Sequence, residues 1–246
     1  MHISSPYRDH LVVQNEAIRE HLDRIGRKIL IMSGSPDAGK TTVTVHLGAA
    51  LVRLGCRVGV LDGNLKKSDV AKQCKIAQSE YLKVPPNLVL AGINTVSTQA
   101  PDQPFSMIEQ LLAQTEWGDL DFLLIDSPAK VTDEHLAICE IIPELTGVII
   151  VTSAQERSIL DVVRSVTFCR KMQIAVLGIV ENMSMPEKHD TETGAWKAHK
   201  VGAPFLGSLA MHTTDKGSVS FHETLAALAL MLQKQVACSQ GENLHV

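Results

Sequence analysis

"SGSPDAGKTTVTVHLGAALVRLG", residues 33–55, is the stretch on which the reading of the fold turns. It follows "RKILIM", residues 27–32, which reads as a short apolar strand, and from Lys40 to Leu54 its apolar residues recur with helical spacing until Gly55 stops them. Between strand and helix, Gly34-Ser35-Pro36-Asp37-Ala38-Gly39-Lys40-Thr41 satisfies G-x-x-x-x-G-K-[ST] in the context that gives this pattern meaning. Backbone N–H groups of such a loop and the helix N-terminus behind it attract phosphate oxygens. Lys40 then supplies a point charge at the β and γ phosphates, and the Thr41 hydroxyl is suited to Mg²⁺. The predicted nucleotide-binding residues are Gly34, Ser35, Pro36, Asp37, Ala38, Gly39, Lys40, Thr41 and Thr42.

Working outward, "EAIREHLDRI" sets Ile18, Leu22 and Ile25 in one helical stripe ahead of the first strand, and "RVGVLDG" is a second apolar run ending near Asp62. "PPNLVLAGI" predicts a further strand, "TQAPDQP" a loop, and "FSMIEQLLAQTEWG" a helix closed by Gly118. Four more strands follow in "DFLLIDSP", "TGVIIVTS", "IAVLGIVENMS" and "PFLGSLA", with "ERSILDVVRSVTFCRKM" and the C-terminal segment as helices. Continuous apolar strands alternating with helices predict an α/β fold: a doubly wound, mainly parallel sheet with helices on both faces. Ligands of such sheets bind outside the C-terminal strand ends, which puts Gly34 to Thr42, Asp62, Asp126 and Asn182 on one rim. Residues 185–203, polar and between two strands, read as a mobile loop.

At 246 residues the chain is expected to form one domain, residues 18–246, behind a polar extension over 1–17. Its 23 basic and 27 acidic residues are scattered, for a formal charge of −4, so no basic stripe supports nucleic-acid binding. "TGVIIV" and "TLAALALML" fall short of the roughly 20 apolar residues of a membrane span, and residues 1–20 lack a signal-peptide pattern; a cytoplasmic protein is expected. The five cysteines include no C-x-x-C pair and the ten histidines no H-x-x-x-H pair, which predicts small apolar or surface cysteines rather than a metal centre.

Asp126, at the end of "FLLID", fits the acid that supports Mg²⁺ opposite a phosphate loop. With it, residues 18–62, "WGDLDFLLIDSP", "GVIIVTSAQERSILDVVRSV", "LGIVENMS" and "APFLGSLAM" resemble, in order, the blocks of Mrp-type nucleotide-binding proteins of the MinD/ParA branch of P-loop ATPases. "WGDLD" and "GIVENMS" are the pieces specific to the Mrp subgroup. The resemblance implies a cytoplasmic ATPase using ATP/ADP and Mg²⁺, dimeric, and engaged in binding, carrying or assembling [4Fe-4S] clusters. It implies base contact by Asn182 and metal support by Thr41 and Asp126.

Departures from the family pattern qualify this. Its loop reads G-K-G-G-x-G-K-[ST], in which the first lysine reaches the partner subunit's phosphates; Ser35 stands there and cannot span that gap. Pro36 and Asp37 replace glycines, removing one N–H donor and adding a carboxylate near an anion. Family members carry D-x-D after the second strand, where this chain has Asp62, Gly63 and Asn64; Asn64 can orient a water but cannot take its proton. Beyond Asp126 the switch glycines are missing from Ser127 to Asp133, His212 replaces an acid, and no C-x-x-C follows Ser184. His189 with Asp190 reads as solvated loop.

The expectation is therefore an ATP-binding Mrp-type protein with Lys40, Asp62 and Asn64 as its catalytic set, slow or absent hydrolysis, and no cluster of its own. It would act as a homodimer or as a heterodimer with a related ATPase. Three other readings compete with it: a non-catalytic partner of a complete paralogue, a P-loop kinase of a small acceptor, and a membrane-cycling ATPase. The C-terminal helix lacks the lysine-rich face that the last requires.

Overall fold

The computed structural model describes residues 16, 18–64, 70, 88–91, 104–153, 159–184, 193–210 and 221–241, the last seven of these by backbone alone. Expectations for residues 1–15, the 98–103 loop, 185–192 with His189 and Asp190, His212, and the side chains of Cys74 and Cys238 lie outside the described residues.

Strands β1 (Ile25–Met32), β2 (Val58–Asp62), β3 (Leu88–Ala91), β4 (Leu120–Asp126), β5 (Gly147–Ser153), β6 (Val176–Ser184) and β7 (Phe205–Ala210) form one sheet in the order β3-β2-β4-β1-β5-β6-β7. Every pairing is parallel. Helices α1 (Lys40–Arg53), α2 (Pro104–Gln114), α3 (Asp133–Ile141), α4 (Ile159–Lys171), α5 (Gly194–Val201) and α6 (Phe221–Gly241) follow, and residues 18–23 make a helical segment ahead of β1.

The two faces of the sheet are read directly from strand alternation. On β1, Leu30 and Met32 join the apolar layer that includes α2, α3 and α4, while Ile29 and Ile31 join the layer under α1 and α6. Leu123 and Ile125 against Phe122 and Leu124 repeat the pattern on β4, and Val148 and Ile150 against Ile149 and Val151 on β5. This explains why the central strands carry continuous apolar runs: both faces are covered. β1 leads into α1 on one face, whereas its neighbours β4 and β5 lead into α3 and α4 on the other, so the loop leaving β1 emerges at the topological switch point of the sheet.

The mobile-loop reading of 185–203 is corrected over its second half. Thr193 accepts a hydrogen bond from Trp196 N at 3.2 Å and starts α5, and Gly202, at φ 66°, ends it in the left-handed conformation. Gly194, Lys197, Ala198 and Val201 are buried at the spacing of one helical face. The polar composition hid this helix because its buried face includes a lysine. Likewise α3 was not foreseen; Thr132 caps it and supplies half of a capping box with His135.

Truncation of a central residue should be costly and truncation of a surface one should not. Phe122→Ala, at a fully buried position, is expected to lower unfolding stability by about 3–5 kcal/mol. Leu160→Ala, 59% exposed, should change it by less than about 0.5 kcal/mol, both read from urea midpoints with unchanged slope.

Candidate functional site

The loop leaving β1 is shaped by contacts on both flanks. Ser33 Oγ donates to Ser35 O at 2.7 Å and closes the first turn. Gly34 lies against the first turn of α4, where a Cβ would stand 2.2 Å from Asp161 Cβ, so no side chain fits. Pro36 and Asp37 are exposed at the tip and Ala38 is buried. Gly39 caps α1 at φ 75°, ψ 32°, a conformation that favours glycine, and Val43 N donates to its carbonyl at 3.0 Å. The first turn of α1 contains no acidic residue, which leaves its N-terminal partial charge open to an anion.

Behind the loop, four predicted residues converge. Lys40 is buried; desolvation lowers its pKa, and the charge of Asp126 opposes that shift. Thr41 Oγ1 donates to Asp126 Oδ2 at 2.6 Å. Asp62 and Asp126 are register partners on β2 and β4, and both carboxylates are buried. Burial raises the Asp126 pKa to about 7; the Thr41 hydrogen bond and Lys40 resist this, and the neighbouring Asp62 charge adds to it. Asp62 accepts from Asn64 N at 3.0 Å and from Val70 N at 3.4 Å, so its oxygens also hold the turn after β2. Asn64 reaches the site through that backbone bond. Thr42 is half-buried on the first turn of α1.

Asn182, at the end of β6, is placed beside the loop, with Nδ2 donating to Ala38 O at 3.0 Å. A Cβ on Gly39 would stand 2.3 Å from that nitrogen, a second reason for glycine there.

Several residues of the site were not singled out in the sequence. Thr44 Oγ1 is 3.0 Å from Lys40 O and 3.3 Å from Asp126 Oδ1, one proton shared between two acceptors. Its spacing of three from Thr41 on a helix was the available signal. Ser127 ties the segment after β4 to β1, donating from Oγ to Ile31 O at 2.8 Å, and Lys130 N, at φ 67°, donates to Ser33 O at 3.3 Å. His135 is fully buried, accepts from Thr132 N at 3.2 Å, and packs edge-on to Phe168 at 5.9 Å. Burial, with the Lys40 charge second, pulls its pKa down to about 4 and keeps it neutral.

A cleft of about 380 Å³ opens on the outer flank of the loop beside Gly34, between Lys130 and Val131 on one side and Val163, Phe168 and Lys171 of α4 on the other. Lys40, Thr41 and Asp126 do not line it.

The raised Asp126 pKa has a definite thermodynamic sign. The folded state keeps a proton that the unfolded chain loses, so stability falls as pH rises from about 4 to about 7. In chelator-treated, nucleotide-free protein, thermal melts should show this decline for the wild type. In Asp126→Asn the decline should be largely absent, and the variant should melt above the wild type at pH 8.

Comparisons with known proteins bear on the family and the fold. The family description "ParA: NUBPL iron-transfer P-loop NTPase" matches residues 24–226. An iron-sulfur cluster carrier protein of Methanocaldococcus jannaschii is 35% identical over 237 residues, covering 84% of this chain and 82% of that protein. The cytosolic Fe-S cluster assembly factor CFD1 of Eremothecium gossypii is 31% identical, with 82% of each chain covered. Among solved structures, a nucleotide-binding protein of Archaeoglobus fulgidus in complex with ADP superposes with a TM-score of 0.63 at 24% identity, covering 87% of this chain and 92% of that one. The septum site-determining protein MinD of Pyrococcus horikoshii, complexed with Mg-ADP, gives 0.64 at 20% identity, covering 86% and 98%. These two likenesses show the fold. The matched span runs from the turn before β1 into α6, takes in the whole sheet with its phosphate-type loop, and the chain belongs to the ParA family of P-loop NTPases, in its NUBPL iron-transfer group.

Proposed function

We propose that this chain binds ATP and ADP with Mg²⁺ and serves iron–sulfur cluster assembly or carriage, with slow or absent ATP hydrolysis and no cluster site of its own. One observation carries the reading: buried Lys40 and Asp126 meet half-buried Thr41 behind a loop whose glycines are required by its contacts. The names of the relatives and the ADP found with structural neighbours support it.

The donor set fits a hard divalent cation. Thr41 Oγ1 and the Asp126 carboxylate are oxygen ligands within 2.6 Å of each other, and a carboxylate held near neutral pKa by burial is short of positive charge. Held by Thr41 and Asp126, Mg²⁺ would supply neutralisation of phosphate charge. The loop N–H groups and the α1 N-terminus hold the phosphate oxygens, and Lys40, buried beside Asp126, adds a fixed positive charge. Asp62 keeps the turn after β2 in place and brings Asn64 to the same rim.

Slow turnover follows from two side chains. Ser35 is too short to reach a partner's phosphates, and the Asn64 amide cannot accept the proton of an attacking water. The absence of C-x-x-C in the sequence supports the lack of a family-type cluster. So do the thiols of Cys139 and Cys169, which burial pushes up to about 11 and about 12, far from thiolate character. Ser35 also favours a second reading: pairing, in place of self-association, with a related ATPase that supplies the missing lysine and cysteines.

Calorimetric titration with Mg-ATP and Mg-ADP should detect binding, weakened about tenfold or more in Lys40→Ala. Phosphate release should stay near the no-enzyme background and rise in Ser35→Lys; brisk wild-type turnover that Lys40→Ala abolishes would overturn the slow-hydrolysis claim. After anaerobic reconstitution the isolated chain should show no [4Fe-4S] visible absorption, and a stable stoichiometric band would overturn that part.

A further inference from the structure

Lys130 holds a backbone conformation that a lysine rarely adopts. Its φ is 67°, in the left-handed region where glycine sits without strain and lysine does not, and such strain persists only where the surroundings over-determine it. They do so here. Ser127, just after β4, donates from both N and Oγ to Ile31 O, at 3.2 and 2.8 Å, and ties the segment to β1. Thr132 fixes the other end by capping α3 together with the buried His135. Between these anchors Lys130 N donates at 3.3 Å to the carbonyl of Ser33, the residue before Gly34.

The result is a cation set against the edge of the loop. Lys130 is exposed and forms part of the wall of the cleft beside Gly34. Among the described residues none makes an ion pair or hydrogen bond with its ammonium group. The other cations of that cleft are placed differently. Arg164 is tied to Asp161 at 2.9 Å. Lys171 stands at the far end of α4, about 15 Å along the helix axis from Asp161, the residue that meets Gly34. The rim itself is short of positive charge: Lys40 shares it with the buried carboxylates of Asp62 and Asp126, and Asp37 adds another at the exposed tip. In loops of this kind the lysine that opens the helix reaches the β and γ phosphates. Asp126, whose charge acts on Lys40, ends the strand from which the Lys130 segment departs. That segment therefore leaves the site on the side of the terminal phosphate.

We infer that Lys130 is a binding residue for the terminal phosphate of a nucleoside triphosphate, so that this chain tells ATP from ADP at the binding step without a lysine from a partner. The inference rests on the reading of the loop as a nucleotide site. A lysine is a point charge on a flexible four-carbon stem, so the ammonium swings from the cleft over the loop edge while the backbone stays fixed.

The test is calorimetric titration of the full chain with Mg-ATP and with Mg-ADP, for the wild type, Lys130→Gly and Lys130→Arg, alongside thermal melts. Glycine removes the charge and accepts φ 67° without strain, so Lys130→Gly should melt no lower than the wild type. If it does melt lower, Lys130→Asn, another residue at home in that region, takes its place. The uncharged variant should weaken Mg-ATP about tenfold, the range of one charge-assisted hydrogen bond, and leave Mg-ADP within about twofold. Lys130→Arg, which keeps the charge, should restore most of the Mg-ATP affinity. Equal weakening of both nucleotides, or no change in either, would overturn the inference, as would an ATP loss that arginine leaves unrepaired. A wild type that binds neither nucleotide would instead overturn the nucleotide reading on which the inference stands.

Discussion

The hydrogen bond from half-buried Thr41 to buried Asp126, 2.6 Å long, is the joint between fold and site. One partner ends β4 and the other begins α1, so the bond exists only if β1 and β4 lie side by side and α1 packs back across the sheet. Two apolar layers enforce that arrangement, and the alternation of β1, β4 and β5 between them fixes which residues reach the rim. The carboxylate so trapped is expensive: burial and the Asp62 neighbour hold its proton into the neutral range, with Lys40 and Thr41 only partly compensating. Local cost at the C-terminal edge of a sheet, offset by core packing elsewhere, is the pattern of a site built to receive charge rather than one optimised for stability.

Around this joint the loop is held from two directions. Gly34 is pressed on Asp161 of α4, and Asn182 reaches Ala38 from β6. The loop residues that depart from the family pattern, Ser35, Pro36 and Asp37, fall between these two anchors, and the latter two are exposed. Their position separates two properties. In the proposed function the phosphate grip draws on residues behind and after the tip, whereas reach across a subunit interface would draw on the Ser35–Asp37 stretch. A chain can therefore lose the second and keep the first.

Much of this was legible in the sequence for a physical reason. Parallel strands covered on both faces must be apolar throughout, so seven strands and their order along the chain stand out, and the glycines with Lys40 and Thr41 mark the loop by spacing. Asp62, Asp126 and Asn182 fall on one rim because each follows an apolar run. What stayed hidden was what three-dimensional packing decides. Lys197 in a polar stretch looked like a loop residue, since nothing in one dimension says that a lysine points inward. His135 needed the unforeseen helix α3 to be placed, and Thr44 needed the register between α1 and β4. The partner that Asn182 meets, a loop carbonyl 144 residues away in sequence, is a matter of tertiary contact alone.

If Mg²⁺ and nucleotide bind where Thr41 and Asp126 meet, as proposed, the proton that burial keeps on Asp126 has to leave. Proton release on binding preformed Mg-ADP, measured at pH 6 by calorimetry in buffers of differing ionisation enthalpy, tests it most directly. About one proton should be released per Mg-ADP in the wild type and little in Asp126→Asn. Binding without proton release, or the same release from both proteins, would contradict it.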